Sequence, residues 1–369
     1  PRLLLEILEV LLFYVANHAR FIRLDAIAFL WKEIGTRCLH LPQTHAVVKL
    51  IRAMFDYVAP GTRLITETNV PHDENVAYFG DGTDEAHLVY NFALPPLVLH
   101  SFRSGDATRL SAWAAGLELP SNQVTFFNFL ASHDGIGVTP VRGILTEAEI
   151  NALVEQVQAH GGLISSRSLP DGSRVPYELN INYFDALSNP ASSEPAALQI
   201  DRFITAHAIM FALIGLPGIY FHSLFGSRSW RQGVKITGQN RTINRQKLER
   251  EELESELSDP GSFRARVFGR MKALIKARAQ QEAFSPYAPQ RVLELSPAIF
   301  SLLRGSPGNS QVVCLHNVSG SSQSILLNVR SLGASGASDL LMDQFLAGER
   351  LALELPPYGL LWLGLEAEG

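Results

Sequence analysis

Three short apolar runs each end in a carboxylate: Phe21-Ile22-Arg23-Leu24-Asp25, Arg63-Leu64-Ile65-Thr66-Glu67, and Phe127 to Ala131 followed by Ser132-His133-Asp134. An apolar run of this length bounded by turn residues predicts a buried parallel strand, and in a β/α barrel the carboxyl ends of the strands converge on one face. An Asp, a Glu and a His-Asp pair are therefore expected to meet in one pocket. Such a set suits glycosyl transfer with retention, in which one carboxylate attacks the anomeric carbon and a second protonates the leaving oxygen. A third acidic group can hold the sugar hydroxyls. Singly, each acidic residue after a strand reads equally well as a helix N-cap. What sets them apart is that three occur in order, with Arg23 two residues before Asp25 and His133 directly before Asp134.

The 369 residues allow one barrel plus a small second domain. A net charge of -5 supplies no basic stripe to neutralise phosphates, which argues against nucleic acid as a partner. Cys38 and Cys314 lie far apart and make no CxxC or metal-ligand pattern, so a reducing, cytoplasmic compartment is expected, although two cysteines are compatible with a disulfide. Leu3 to Val15 is apolar but carries Glu6 and Glu9 at helical spacing and is too short to span a bilayer. It is expected to be an amphipathic barrel helix, with no secretion signal and no membrane partner.

Val47, Val48, Ile51, Met54 and Phe55 recur at helical spacing within 41–58, and Pro60-Gly61 stops that element. Asn69 to Thr83 is rich in Asn, Asp, Gly and His and predicts a long loop. Leu88 to Phe92 and Val124 to Ala131 predict strands, with a helix opening at Pro95-Pro96 between them. A helix over Thr146 to His160, then strand-like pieces around Ser165 and Tyr177, predict a subdomain inserted at about 135–195. Helical periodicity resumes over 197–214, Gly218 to Phe221 is expected to be the last barrel strand, and the charged run Lys247 to Glu256 predicts a solvated helix. Short β-rich stretches with Gly/Ser turns follow from Gln290. The expected domains are a catalytic β/α barrel portion over 1–288, with its insertion, and an all-β domain over 289–369.

At its carboxylate runs the chain resembles glycoside hydrolase family 13, the α-amylase superfamily, and within it the sucrose phosphorylase group. Arg23-Leu24-Asp25-Ala26, Thr66-Glu67-Thr68 and Ala131-Ser132-His133-Asp134-Gly135 look like three of its motif regions. The narrower likeness rests on Lys32-Glu33-Ile34-Gly35-Thr36, Tyr90 to Pro96, His133 to Gly137 and Thr242-Ile243-Asn244-Arg245. The resemblance implies an α/β fold, a (β/α)8 barrel represented by its later strands, with a C-terminal β domain. It implies Asp25 as nucleophile, Glu67 as acid/base and Asp134 as third carboxylate, with Arg23, His133 and Arg245 at the donor glucose. Family members place three further strands before the one that ends in Asp25, along with a motif contributing an Asp and a His. Residues 1–369 alone are therefore expected to be unstable or inactive.

Where sucrose phosphorylases carry a Tyr this chain has Phe29, and in place of their acidic acceptor loop it has Gly226-Ser227-Arg228-Ser229-Trp230-Arg231. A guanidinium fork matches a carboxylate or phosphate, so Arg228 is a candidate acceptor contact and a likeness to the glucosylglycerate phosphorylases fits. Solvated loop arginines are the plain alternative for Arg228 and Arg231. The expected reaction moves glucose from sucrose or a glucosylglycerate-like donor to inorganic phosphate. A hydrolase or transglucosidase on the same scaffold, or an inactive sugar-binding fragment, are the rivals. His40, His45, His72, His87 and His100 show no metal spacing, and Gly80-Asp81-Gly82 lacks the context of a phosphate-cradling loop, so neither a metal nor a nucleotide cofactor is expected.

Overall fold

In the computed structural model, which describes residues 2–169 and 171–367, the first two carboxylate runs become strands that Asp25 and Glu67 directly follow, whereas the third strand ends at Asn128 and a loop leads from it to Asp134. By contacts the chain divides into two units, Pro1–Phe92 with Glu118–Phe127, and Ala93–Leu117 with Asn128–Gly369.

The first unit runs α1 (Arg2–Ala16), β1 (Phe21–Leu24), α2 (Pro42–Val58), β2 (Arg63–Thr66), α3 (His72–Val76), β3 (Leu88–Tyr90) and β4 (Thr125–Asn128). Its strands are parallel and consecutive, with Leu24 opposite Thr66, Thr66 opposite Val89 and Tyr90 opposite Phe127. Helices α1 and α2 each lead into the next strand, the βαβ logic that carries every strand's carboxyl end to the same side. Pro42 opens α2, where a missing N–H costs no hydrogen bond, and Val48, Ile51 and Phe55 are buried on one face. Helix α1 behaves differently from the expected barrel helix. Leu11 is its buried side chain, whereas Leu3 and Phe13 are 71% and 62% exposed. The stretch 69–83 also departs from a plain loop: α3 and a 3-10 turn at Ala77–Phe79 occupy it and bury Tyr78 and Phe79. Its polar composition hid the helix, yet Asp73 and Glu74 in the first turn are the charges that a helix N-terminus favours.

The second unit contains α4 (Leu94–Ser104), α5 (Thr108–Ala115), β5 (Ile136–Gly137), α6 (Glu147–Ala159), β6 (Leu163–Ser168), β7 (Arg174–Asn180), α7 (Tyr183–Leu187), α8 (Ala196–Ala212), β8 (Leu216–Pro217), α9 (Phe221–Leu224), α10 (Arg231–Thr237), α11 (Arg250–Ser258) and α12 (Phe263–Ala279). Strands β5, β7 and β6 form a small antiparallel sheet in that order, with α6 between β5 and β6 in the chain. Thr146 and Glu149 close a reciprocal cap on α6. The expected strand at Gly218–Phe221 lies earlier. Asn128 donates to the Ile214 carbonyl at 2.9 Å and accepts from the Gly218 N–H at 2.7 Å, so β8 is confined to Leu216–Pro217 and the chain turns helical at Phe221.

Helix α8 is buried over most of its length, and its carboxyl end is capped by arginines. Arg278 donates to the Phe211 and Gly215 carbonyls at 3.0 and 3.2 Å; Arg304 donates to Ala212, Ser285 and Ala288. Burial pushes both guanidiniums down to about 10. From Gln290 the chain is all β: β9 (Gln290–Val292), β10 (Ile299–Gly305), β11 (Gln311–Asn317), β12 (Gln323–Asn328), β13 (Ala334–Asp339), β14 (Gln344–Ala347), β15 (Arg350–Leu355) and β16 (Leu360–Ala367). A sheet ordered β14-β13-β16-β11-β10-β9 and the β12-β15 pair enclose Leu303, Val313, Leu315, Leu327, Leu355 and Leu363.

Candidate active site

Residues i and i+2 of a strand share a face, so Arg23 in β1 points to the side on which Asp25 leaves the strand. Its Nη2 lies 3.0 Å from Asp25 Oδ1 and 3.6 Å from Glu67 Oε1, and its guanidinium sits 5.5 Å from the centre of the Tyr90 ring. One cation thus serves the ends of β1, β2 and β3. Ala26 follows in a left-handed turn, at φ 46°, and its N–H donates to Glu67 Oε2 at 2.9 Å. A non-glycine residue in that region costs about 1 kcal/mol, and the turn aims a main-chain donor at the second carboxylate. The Glu67 N–H donates in turn to the Leu24 carbonyl at 3.1 Å, which extends the β1-β2 ladder to the carboxylates.

The two acids differ in environment. The Asp25 side chain is 75% exposed and that of Glu67 13% exposed. Burial, together with the adjacent negative charge of Asp25, raises the Glu67 pKa above its ordinary range, against the pull of the Ala26 N–H and Arg23. That is the separation of roles a retaining mechanism needs: an accessible carboxylate held by a guanidinium, and a buried one inclined to keep its proton. Burial likewise raises Tyr90. Tyr90 was visible in the sequence as part of a motif, while its hold on Arg23 was not. Phe29 is 46% exposed in the turn after Asp25, with Lys32 Nζ 5.3 Å from its ring centre.

The second unit assembles the other predicted residues. Asp134 Oδ1 receives Arg241 Nη1 and Arg245 Nη2, each at 3.0 Å, with His133 Nε2 at 3.6 Å. Arg245 Nε also donates to the His133 carbonyl at 2.8 Å, and Asn244 Nδ2 to that of Asp134 at 2.8 Å. Arg245 therefore grips both residues of the His-Asp pair. Arg241 escaped sequence reasoning because it lies outside any strand and only its chain neighbours matched a motif. So did Glu178 in β7. It is 2% exposed and accepts from Arg241 Nη2 at 2.6 Å, Arg241 Nε at 3.1 Å and the Gly135 N–H at 3.0 Å. A Cβ on Gly135 would lie 2.5 Å from the Leu179 carbonyl oxygen, so this turn requires glycine.

Arg228 is placed differently from an acceptor ligand. Its Nη1 donates to Asp185 Oδ1 at 3.0 Å, its Nη2 to Gln199 Oε1 at 2.7 Å, and its plane lies 4.2 Å from the Phe184 ring centre. Asp185 is buried and needs a cation, which accounts for Arg228 without any ligand. Arg231 donates to the carbonyls of His160 and Gly161, and Trp230 lies on Gly233 of α10, so this loop is held by its own contacts. Among the described residues no group of three or more His, Cys, Asp or Glu is placed to hold a metal ion, and no helix is long and apolar enough to cross a membrane.

No family model matches the chain. Over 98% of its length it is 49% identical to a glucosylglycerate phosphorylase of Spirochaeta thermophila, of which it covers 63%. In sequence the chain is thus similar to glucosylglycerate phosphorylases and, at lower identity, to sucrose phosphorylases. Solved structures agree in fold. A sucrose 6F-phosphate phosphorylase from Thermoanaerobacter thermosaccharolyticum superposes on 94% of the chain and 63% of its own length, with a TM-score of 0.72 at 20% identity. An α-amylase from H. orenii superposes on 99% of the chain and 65% of its own length, with a TM-score of 0.65 at 13% identity. The fold of the chain is accordingly a partial (β/α)8 barrel with a C-terminal β domain. The chain spans less than two thirds of the length of the glucosylglycerate phosphorylases it matches.

Proposed function

We propose that the chain carries the reacting groups of a retaining α-glucoside phosphorylase that moves glucose from a glucosylglycerate-like donor to inorganic phosphate. The observation that carries this is the Arg23-Asp25-Glu67 constellation, an exposed carboxylate beside a buried one of raised pKa. Kinship with a glucosylglycerate phosphorylase supports the choice of donor over sucrose. Asp25 attacks the anomeric carbon and forms a glucosyl ester as the bond to the leaving oxygen breaks, and Glu67 gives that oxygen its proton. A phosphate oxygen then attacks the same carbon, the ester bond breaks, and Glu67 takes a proton back, so α-glucose 1-phosphate leaves with retained configuration. Asp134 accepts hydrogen bonds from sugar hydroxyls as the ring flattens, His133 assists it, Arg245 donates to both residues of the pair, and Phe29 borders the acceptor. In this reading residues 1–288 are the barrel portion, with 135–195 inserted, residues 289–369 are the β domain, and the protein works in the cytoplasm.

The test is release of glucose 1-phosphate from glucosylglycerate and from sucrose, with and without phosphate. It is run on the 369-residue chain and on a version extended at its N-terminus to the length of the relatives. Phosphate-dependent release that Asp25→Asn lowers by about a thousandfold or more is the expected result. Free glucose formed regardless of phosphate would make it a hydrolase. Glucose binding without turnover, unchanged in Asp25→Asn, would favour a sugar-binding role.

A further inference from the structure

We propose that Glu178 is a positioning residue that sets Arg241 against Asp134 and fixes the turn presenting the His-Asp pair; this rests on the functional reading above. Glu178 is a carboxylate on a sheet strand, 2% exposed, which is a costly place for a charge unless several donors surround it. Its donors are specific. Two nitrogens of Arg241 form a fork on its two oxygens, the Gly135 N–H reaches Oε1 from the residue after Asp134, and Asn180 Nδ2 adds a third direction. The remaining terminal nitrogen of Arg241 lies 3.0 Å from Asp134 Oδ1. Glu178 thus fixes both the main chain at Gly135 and the cation on the side chain of Asp134.

The charge count shows what this does. Asp134 and Glu178 oppose Arg241 and Arg245, two charges against two, so the cluster is neutral and holds no surplus cation to capture an anion. Its product is orientation. With Oδ1 of Asp134 committed to guanidinium nitrogens from two sides, the carboxylate is locked, and its free lone pairs face one direction for a sugar hydroxyl. Without the fork, Arg241, whose side chain is 44% exposed, has rotamer freedom and Asp134 swings.

The experiment is a double-mutant cycle with Glu178→Gln and Arg241→Lys in the extended chain, read as kcat and KM for the donor and as glucose affinity by calorimetry. Gln keeps the size and the acceptor for the Gly135 N–H but breaks the ionic fork. Each single change is expected to lower kcat/KM by about a hundredfold, chiefly through kcat, and the double variant to lose little more than either single one. Glu178→Asp, which restores the charge, is expected to recover part of the rate. An active parent whose Glu178→Gln variant keeps its kcat/KM, or losses that multiply in the double variant, would overturn the assignment and leave the phosphorylase reading intact. If the parent binds glucose without turnover, the same non-additivity is expected in glucose affinity, and additive changes overturn the assignment. A parent that neither turns over nor binds glucose overturns the functional reading, and this assignment falls with it.

Discussion

Burying one carboxylate beside another raises the free energy of its ionised form, and Glu67 bears that penalty while being asked to shuttle a proton. The sign of the linkage follows from the raised folded-state pKa. The folded protein binds the Glu67 proton more tightly than the unfolded chain, so the penalty is absent below the ordinary value of 4.5 and complete once pH has risen through the folded value. Glu67→Gln should therefore raise the thermal midpoint at neutral pH and leave it unchanged in acid, while cutting glucosyl transfer by roughly 10²- to 10⁴-fold. Paired melting curves and initial rates check both halves. A midpoint that falls at neutral pH would mean that the bond from Ala26 and the attraction of Arg23 outweigh burial. At this scale the carboxylates and Arg23 were legible, because a strand places i and i+2 together. Glu178 and Arg241 were not, because they lie 63 residues apart and Arg241 sits outside any strand, so no local period relates them.

Among elements, α8 shows how buried charge can be structural. An α-helix leaves its last carbonyls unpaired, and here the end is buried. Arg278 and Arg304 donate to carbonyls there, their acceptors being main-chain oxygens. Arg304→Ala should cost about 3 kcal/mol, since several buried carbonyls lose their donor together, and should lower the denaturant midpoint without moving KM. An unchanged midpoint would show that water replaces the guanidinium. Strands β1, β2 and β4 and helices α2, α6 and α8 could be read from apolar period and capping residues. Helix α12 could not, since its many arginines weaken the apolar stripe, and α3 was masked by turn-forming residues.

For the molecule as a whole, Leu3, Leu5, Ile7, Val10 and Phe13 stand exposed on α1, and Phe21 of β1 is 52% exposed. An apolar surface of that kind is an adhesive one. The 369-residue chain is expected to sediment as multimers at micromolar concentration, and Leu3→Glu with Phe13→Glu to shift it toward monomer. Monomers throughout would show that this face stays solvated. The Gly135 turn has a consequence of another sort. Because the carbonyl of Leu179 leaves no room for a side chain there, and because Glu178 and Arg241 complete the same cluster, residues 135, 178 and 241 form one inheritable block. Anyone recombining this chain with a relative to alter its preferences would have to keep crossovers outside that interval. A transplanted hairpin would otherwise arrive without the arginine that its glutamate was shaped to hold.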